Sequence, residues 1–126
     1  MATILVADDS KEVRERLAQK LGEAGHTVKS AIDGIGALEE VRSGTIDLLI
    51  VDCFMPQSGF EVIRAIREDP DYASIKTLPI IGITDMAGEG EIRNFTDLGA
   101  NGAWEKQLDN EVGIPSLLKL VDEVLA

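Results

Sequence analysis

Short apolar runs alternate five times with stretches in which apolar residues recur every three or four positions. The runs Ile4–Ala7, Thr27–Ala31, Ile46–Val51, Leu78–Thr84 and a weaker one at Gly102–Glu105 predict strands. Between them, Val13, Leu17, Leu21 and Ala24 mark a first helix, with Ser10 as its N-cap and Gly25 just past its end. Ile35, Leu38 and Val41 mark a second helix, running up to Gly44. A third carries Phe60, Ile63 and Ile66 and ends before Asp69-Pro70, because a proline drives its predecessor out of the helical region. Ile92, Phe95 and Leu98 give a fourth helix, closed by Gly99. Leu117, Leu120, Val121 and Val124 give a fifth, with Pro115 near its first turn. Strands alternating with helices imply βαβ units: an α/β fold with a parallel sheet covered by helices on both faces. The third and fourth runs are apolar throughout, as strands buried on both sides are.

Composition narrows the function. A chain of 126 residues is read as one domain. Twelve Lys and Arg against 23 Asp and Glu leave a net charge of −11, which argues against a nucleic-acid partner because a phosphate backbone needs a basic face. That charge suits metal cations or a partner with a basic rim. Cys53 is the single cysteine, so no intrachain disulfide forms and nothing calls for an oxidising compartment. No apolar run reaches the ~20 residues a membrane span needs, and no basic, apolar-cored leader precedes the first strand. The expectation is a cytoplasmic protein with no membrane and no nucleic acid among its partners.

The chemistry gathers at strand ends. In an open parallel sheet, ligands bind beyond the carboxyl ends of the strands, where strand order reverses. The first strand ends in Asp8-Asp9, the third in Asp52, the fourth in Thr84-Asp85 and the fifth in Glu105-Lys106. If strands one, three, four and five are neighbours, these groups converge. Carboxylates so close repel one another unless a cation joins them. Oxygen ligands with room left for water and phosphate are what Mg²⁺ prefers. A lysine and a threonine hydroxyl complete a cradle for a phosphoryl group, and an aspartate so surrounded is equipped to form an aspartyl phosphate. Each residue alone has a plainer explanation: Asp8-Asp9-Ser10 as a helix cap, Asp52 as a turn acid, Thr84 as a strand residue, Lys106 as a surface charge. Their joint placement at four strand ends favours the shared site.

The order Asp8-Asp9, Asp52, Met55-Pro56, Gly59, Thr84 and Lys106 resembles the receiver domain of two-component response regulators, over Thr3 to Leu125. The resemblance implies a (βα)5, flavodoxin-like, doubly wound fold with strand order 2-1-3-4-5. It implies a single receiver domain over residues 1–126 with no output domain, similar to stand-alone chemotaxis regulators. Asp52 would accept phosphate from a histidine kinase or histidine phosphotransfer protein and signal to a downstream protein by contact. Asp9, Asp52 and the Phe54 backbone carbonyl would bind Mg²⁺, with Asp8 acting through water. Thr84 and Lys106 would hold the phosphoryl oxygens. The chain would not be an enzyme beyond Mg²⁺-dependent self-phosphorylation and slow autodephosphorylation.

Four positions depart from the family pattern. Gln107 stands where a cis proline usually follows the lysine, and a non-proline cis bond costs ~2.5–4 kcal/mol. Ala103 replaces a switching aromatic, with Trp104 beside it expected on the opposite face. Asp85 replaces a small residue after Thr84, and the stretch from Asp52 to Gly59 is one residue short. An alternative therefore stays open: a pseudo-receiver, keeping the fold as a binding module with an altered switch and little phosphorylation. An aspartyl-nucleophile phosphatase is disfavoured, since Phe54 stands where a second acid is needed.

Overall fold

The computed structural model describes residues 2–85, 89–108 and 113–126. Five strands, β1 (Thr3–Ala7), β2 (Thr27–Ala31), β3 (Leu48–Asp52), β4 (Ile80–Thr84) and β5 (Gly102–Glu105), alternate with α1 (Lys11–Glu23), α2 (Gly34–Arg42), α3 (Gly59–Glu68), α4 (Glu89–Leu98) and α5 (Gly113–Leu125). The strands form one parallel sheet in the order β2-β1-β3-β4-β5. The expected fold and strand order are therefore those observed.

Strand pleating divides the core in two. Leu5, Ala7, Leu49, Val51 and Ile80 face α2, α3 and α4, packing against Val41, Val62, Ile63, Ile66 and Phe95. Ile4, Val6, Leu48, Ile50, Ile81, Ile83 and Trp104 face α1 and α5, against Val13, Leu17, Leu21, Leu117 and Val121. Successive strand residues point to opposite faces, so odd positions of β1 and β3 go one way and even positions the other. This explains why both strands read as unbroken apolar runs.

Two strands start later than the sequence suggests. Pro79 has no N–H to give the ladder and contributes only its carbonyl, to Leu49 N at 3.0 Å, so β4 begins at Ile80 rather than Leu78. At Asp47 the backbone N–H still donates to Thr3 O at 2.8 Å, but the acceptor for Thr3 N is the Asp47 side chain, Oδ2 at 2.8 Å, and β3 begins at Leu48 rather than Ile46. At the other end β3 runs one residue further than expected and includes Asp52. A 3₁₀ turn, Pro70–Ile75, follows α3 and has no periodic apolar signal in the sequence.

The helix punctuation is as expected. Ser10 caps α1 through Oγ, which accepts from Val13 N at 3.3 Å, and Gly25 and Gly44 follow α1 and α2 with positive φ. Gly99 also has positive φ, and beside it Arg67 of α3 donates to Gly99 O at 3.0 Å, Lys76 O at 2.7 Å and Asn101 Oδ1 at 3.1 Å. Burial lowers the Arg67 guanidinium from its ordinary pKa. This cluster ties α3 to the approach to β4 and to the α4–β5 junction, at the pole opposite the acidic strand ends.

Candidate functional site

The same pleating places the polar strand-end residues. Asp52 closes β3 in phase with Leu48 and Ile50, on the side covered by α1 and α5. The ladder runs one residue past the strands: Asp8 N donates to Ala31 O at 3.1 Å, Cys53 N to Ile83 O at 3.1 Å and Lys106 N to Thr84 O at 2.8 Å. Asp8 and Lys106 thereby keep the phase of Val6 and Trp104 and arrive on Asp52's side. Lys106 Nζ lies 2.7 Å from Asp8 Oδ2 and 3.2 Å from Asp52 Oδ1. All three side chains are within 5% of full burial. Asp9, by contrast, is exposed, and a carboxylate oxygen from each of Asp8, Asp9 and Asp52 falls within 4.8 Å of the others.

Desolvation dominates the electrostatics of Asp52. Burial, reinforced by the Asp8 charge and only partly offset by Lys106, raises its pKa from 3.8 to about 6. Burial alone would depress the Lys106 ammonium, but hydrogen bonding to Asp8 and the charges of Asp52, Asp8 and Asp85 hold it above the ordinary lysine value. Asp8 Oδ1 accepts from Ser10 N at 2.8 Å. Asp8 Oδ2 is fully buried and has the Lys106 ion pair but no well-aligned hydrogen bond. An oxygen in that condition has lone pairs left for a water or a cation.

The acid set therefore fits a divalent metal: one oxygen from each of Asp8, Asp9 and Asp52 lies within reach of a single ion, of these three only Asp8 and Asp52 are paired with Lys106, and every donor is oxygen. Oxygen-only donors with solvent access on the Asp9 side suit Mg²⁺ over softer metals.

Thr84 is fully buried at the end of β4 but lies in the other phase, with Gly82 and Ile80. Its side chain hydrogen-bonds the Cys53 thiol; burial raises that thiol's pKa, and the Thr84 bond opposes the rise. The sequence groups Thr84 with the strand-end acids; the structure instead turns its side chain to the opposite face, toward Cys53, a residue the sequence offers only as a sign of compartment.

The Asp52–Gly59 connection is tight. Gln57 adopts φ 55°, and Gly59 lies so close to the Asp52 carbonyl that a side chain there would collide with it. Phe54, two residues past Asp52, is 59% exposed. Gly34 N donates to Pro56 O at 2.9 Å, joining this loop to the start of α2.

The departures from the family pattern also have places. Asp85 is 76% exposed, with Oδ1 3.8 Å from Lys106 Nζ, at the mouth beside the buried triad. Whether Asp85 caps α4 lies outside the described residues, which omit 86–88. No cis peptide occurs among the described residues, so Gln107 follows Lys106 in trans, its Nε2 donating to Glu105 Oε2 at 3.1 Å. Ala103 packs with the α2–α4 core, while Trp104 turns to the other face as expected, its Nε1 donating to Gly113 O and Ser116 Oγ, each at 3.1 Å. An aromatic does stand over the sheet near Ala103. The Phe95 ring of α4 presses on Gly82, the residue paired with Ala103, and stacks at 4.9 Å on Phe60.

The profile of the response regulator receiver domain matches residues 4–117. The chain belongs to the response regulator receiver domain family. It is 39% identical over 99 residues, 78% of its length, to the response regulator MprA of Mycobacterium ulcerans, of which it covers 40%. It is 30% identical over 122 residues, 96% of its length, to the gliding motility regulatory protein of Myxococcus xanthus, of which it covers 15%. The receiver thus spans less than half the length of either relative. Among solved structures, the chemotaxis protein CheY4 of Vibrio cholerae superposes with a TM-score of 0.85 at 32% identity over 99% of both chains. Membership supports a phosphoacceptor role in two-component signalling, and receiver domains are in general signalling modules rather than enzymes. No helix among the described residues is long and apolar enough to cross a membrane.

Proposed function

We propose that this receiver takes a phosphoryl group onto Asp52 from a phosphohistidine donor, a histidine kinase or histidine phosphotransfer protein, and passes its state on by protein contact. The observation that carries this reading is the sharing of Lys106 between Asp8 and Asp52, at 2.7 and 3.2 Å, beside the exposed Asp9. Asp52 supplies the nucleophilic oxygen: it attacks phosphorus, an O–P bond forms, the donor's N–P bond breaks, and the imidazole leaves with its electron pair and takes a proton. Lys106 then balances charge on the phosphoryl oxygens, and Thr84 donates its hydroxyl to one of them, giving up the bond to Cys53.

Asp9, Asp52 and the Phe54 carbonyl would hold Mg²⁺, with Asp8 behind a water. Bound there, the ion would supply the positive charge that lets a dianionic donor approach three acids. Asp8 has a second task, holding Lys106 in place while Asp52 is unmodified. The raised pKa of Asp52 suits a nucleophile, since a carboxylate disfavoured in its buried charged form gains by sharing that charge with phosphorus.

Incubation with Mg²⁺ and acetyl phosphate should add one phosphate by intact mass, mapped to Asp52 and absent from Asp52→Ala. An adduct elsewhere, or one that persists in Asp52→Ala, would sink the assignment. The pseudo-receiver alternative predicts no adduct at all. The complete, paired acid–lysine set weighs against it.

A further inference from the structure

Lys106 stands just past the end of β5, where only its backbone N–H still joins the sheet, at Thr84 O. A flexible four-carbon side chain needs a fixed base if its ammonium is to sit between Asp8 and Asp52. The segment that supplies that base is gripped from outside. Two residues on, Leu108 O accepts from Arg16 Nη2 at 2.9 Å, across 92 positions of sequence. Arg16 belongs to α1, the helix that follows Asp8 and Asp9 directly. On the same helix Arg14 Nη1 donates to Asp8 O at 2.9 Å. One helix thus holds the backbone carrying the acid and the backbone carrying the lysine. The Gln107 side chain does no such work, since it folds back onto Glu105.

We propose that Arg16 is a positioning residue for phosphoryl transfer: its bond to Leu108 O sets where Lys106 stands relative to Asp8 and Asp52. This inference rests on the reading of Lys106 as a participant in the transfer. A guanidinium suits the role because it is planar, keeps its charge and is only half-exposed here, so the bond is partly shielded from water. The described bond of Arg16 goes to the loop backbone at Leu108 O and not to a reacting atom.

A double-mutant cycle tests this, with initial rates of Asp52 phosphorylation by acetyl phosphate at saturating Mg²⁺ as the readout. Lys106→Ala should slow the reaction on the order of 10²-fold, as loss of a preorganised charge at a developing oxyanion does. Arg16→Ala should slow it roughly three- to tenfold, as for a misplaced rather than missing group. Arg16→Lys, which keeps one donor, should fall between Arg16→Ala and the parent. Mg²⁺ affinity by calorimetry should be no weaker in Arg16→Ala, because the acids do not depend on Leu108. In the Lys106→Ala background, Arg16→Ala should cost nothing more. Rates are compared at equal folded fraction, with Arg16→Gln as a second variant should Arg16→Ala unfold. A parental rate in both Arg16→Ala and Arg16→Gln, a full further loss in the Lys106→Ala background, or weakened Mg²⁺ binding would overturn the proposal. A parental rate in Lys106→Ala would bring down the reading of Lys106 as well, whereas a slow Lys106→Ala with a parental Arg16→Ala would bring down this inference alone.

Discussion

Lys106 Nζ stands nearer to Asp8, at 2.7 Å, than to Asp52, at 3.2 Å. The lysine is thus held by an acid that need not react, close to the acid proposed to react. On the proposed function Asp8 has two tasks, and Asp9 one. Asp9→Ala should lose most Mg²⁺-dependent phosphorylation, because it removes the exposed oxygen that a metal would reach first. Asp8→Ala should lose less, since Lys106 can then turn wholly to Asp52. Phosphate incorporation from acetyl phosphate, with and without EDTA, checks both. Unimpaired incorporation in EDTA would show that the acids only cap α1.

Asp52 should cost the unphosphorylated, metal-free protein stability. Its folded pKa of about 6 lies above the ordinary 3.8, so the folded state holds this proton more tightly than the unfolded chain does. The penalty is absent below the ordinary value, grows as pH rises from 3.8 to about 6, and is constant above. At ~1.4 kcal/mol per pH unit, Asp52→Asn should gain at most about 3 kcal/mol at pH 7.5 and roughly half that at pH 5. Urea unfolding in EDTA at the two pH values measures it. A variant no more stable than the parent at pH 7.5 contradicts the desolvation argument. Added Mg²⁺ should stabilise the parent more than the variant.

Asp85 should slow small anionic donors. It is exposed and 3.8 Å from Lys106, so it draws on the same ammonium and adds negative charge at the mouth. Exposure limits the effect to ~1 kcal/mol or less, a few-fold in rate. Asp85→Ala should phosphorylate faster with acetyl phosphate, most clearly at low ionic strength. An unchanged rate at both salt concentrations would leave Asp85 a spectator.

Gly82→Ala should destabilise the fold although alanine suits a strand better than glycine does. A methyl group there would enter the Phe95 ring, and moving that ring disturbs its contact with Phe60. Overpacking of this kind costs ~1–3 kcal/mol. Phe95→Leu in the same chain should restore part of the loss, since it clears the space over residue 82. Chemical denaturation of the single and double variants decides it.

The convergence of Asp8, Asp9, Asp52 and Lys106 was legible because the apolar runs show where strands end and the resemblance to receiver domains implies which strands are neighbours; Thr84, grouped with them in the sequence, faces the other phase. The face each residue takes was not read, although pleat parity settles it once a strand's last residue is known. Strand starts were misjudged at Pro79 and Asp47, where a missing donor and a side-chain acceptor cut the ladder short of the apolar run. Arg14 and Arg16 gave no signal, since a guanidinium bound to a distant carbonyl looks in sequence like any solvated helix charge. The aromatic missing at Ala103 could not have been traced to Phe95, because that requires knowing which helix lies over Gly82.

Asp52 and Cys53 are neighbours in sequence that face opposite sides of the sheet, the carboxylate toward Lys106 and the thiol toward Thr84. A slip of β3 by a single residue would exchange them, offering a soft, weakly charged sulfur where the proposed function needs a hard oxygen. The close seat of Gly59 on the Asp52 carbonyl resists such a slip, because the start of α3 fits the strand end at that spacing. Which side chain can serve as the proposed nucleophile is thus held by the phase of one strand, and a glycine seven residues downstream keeps the frame.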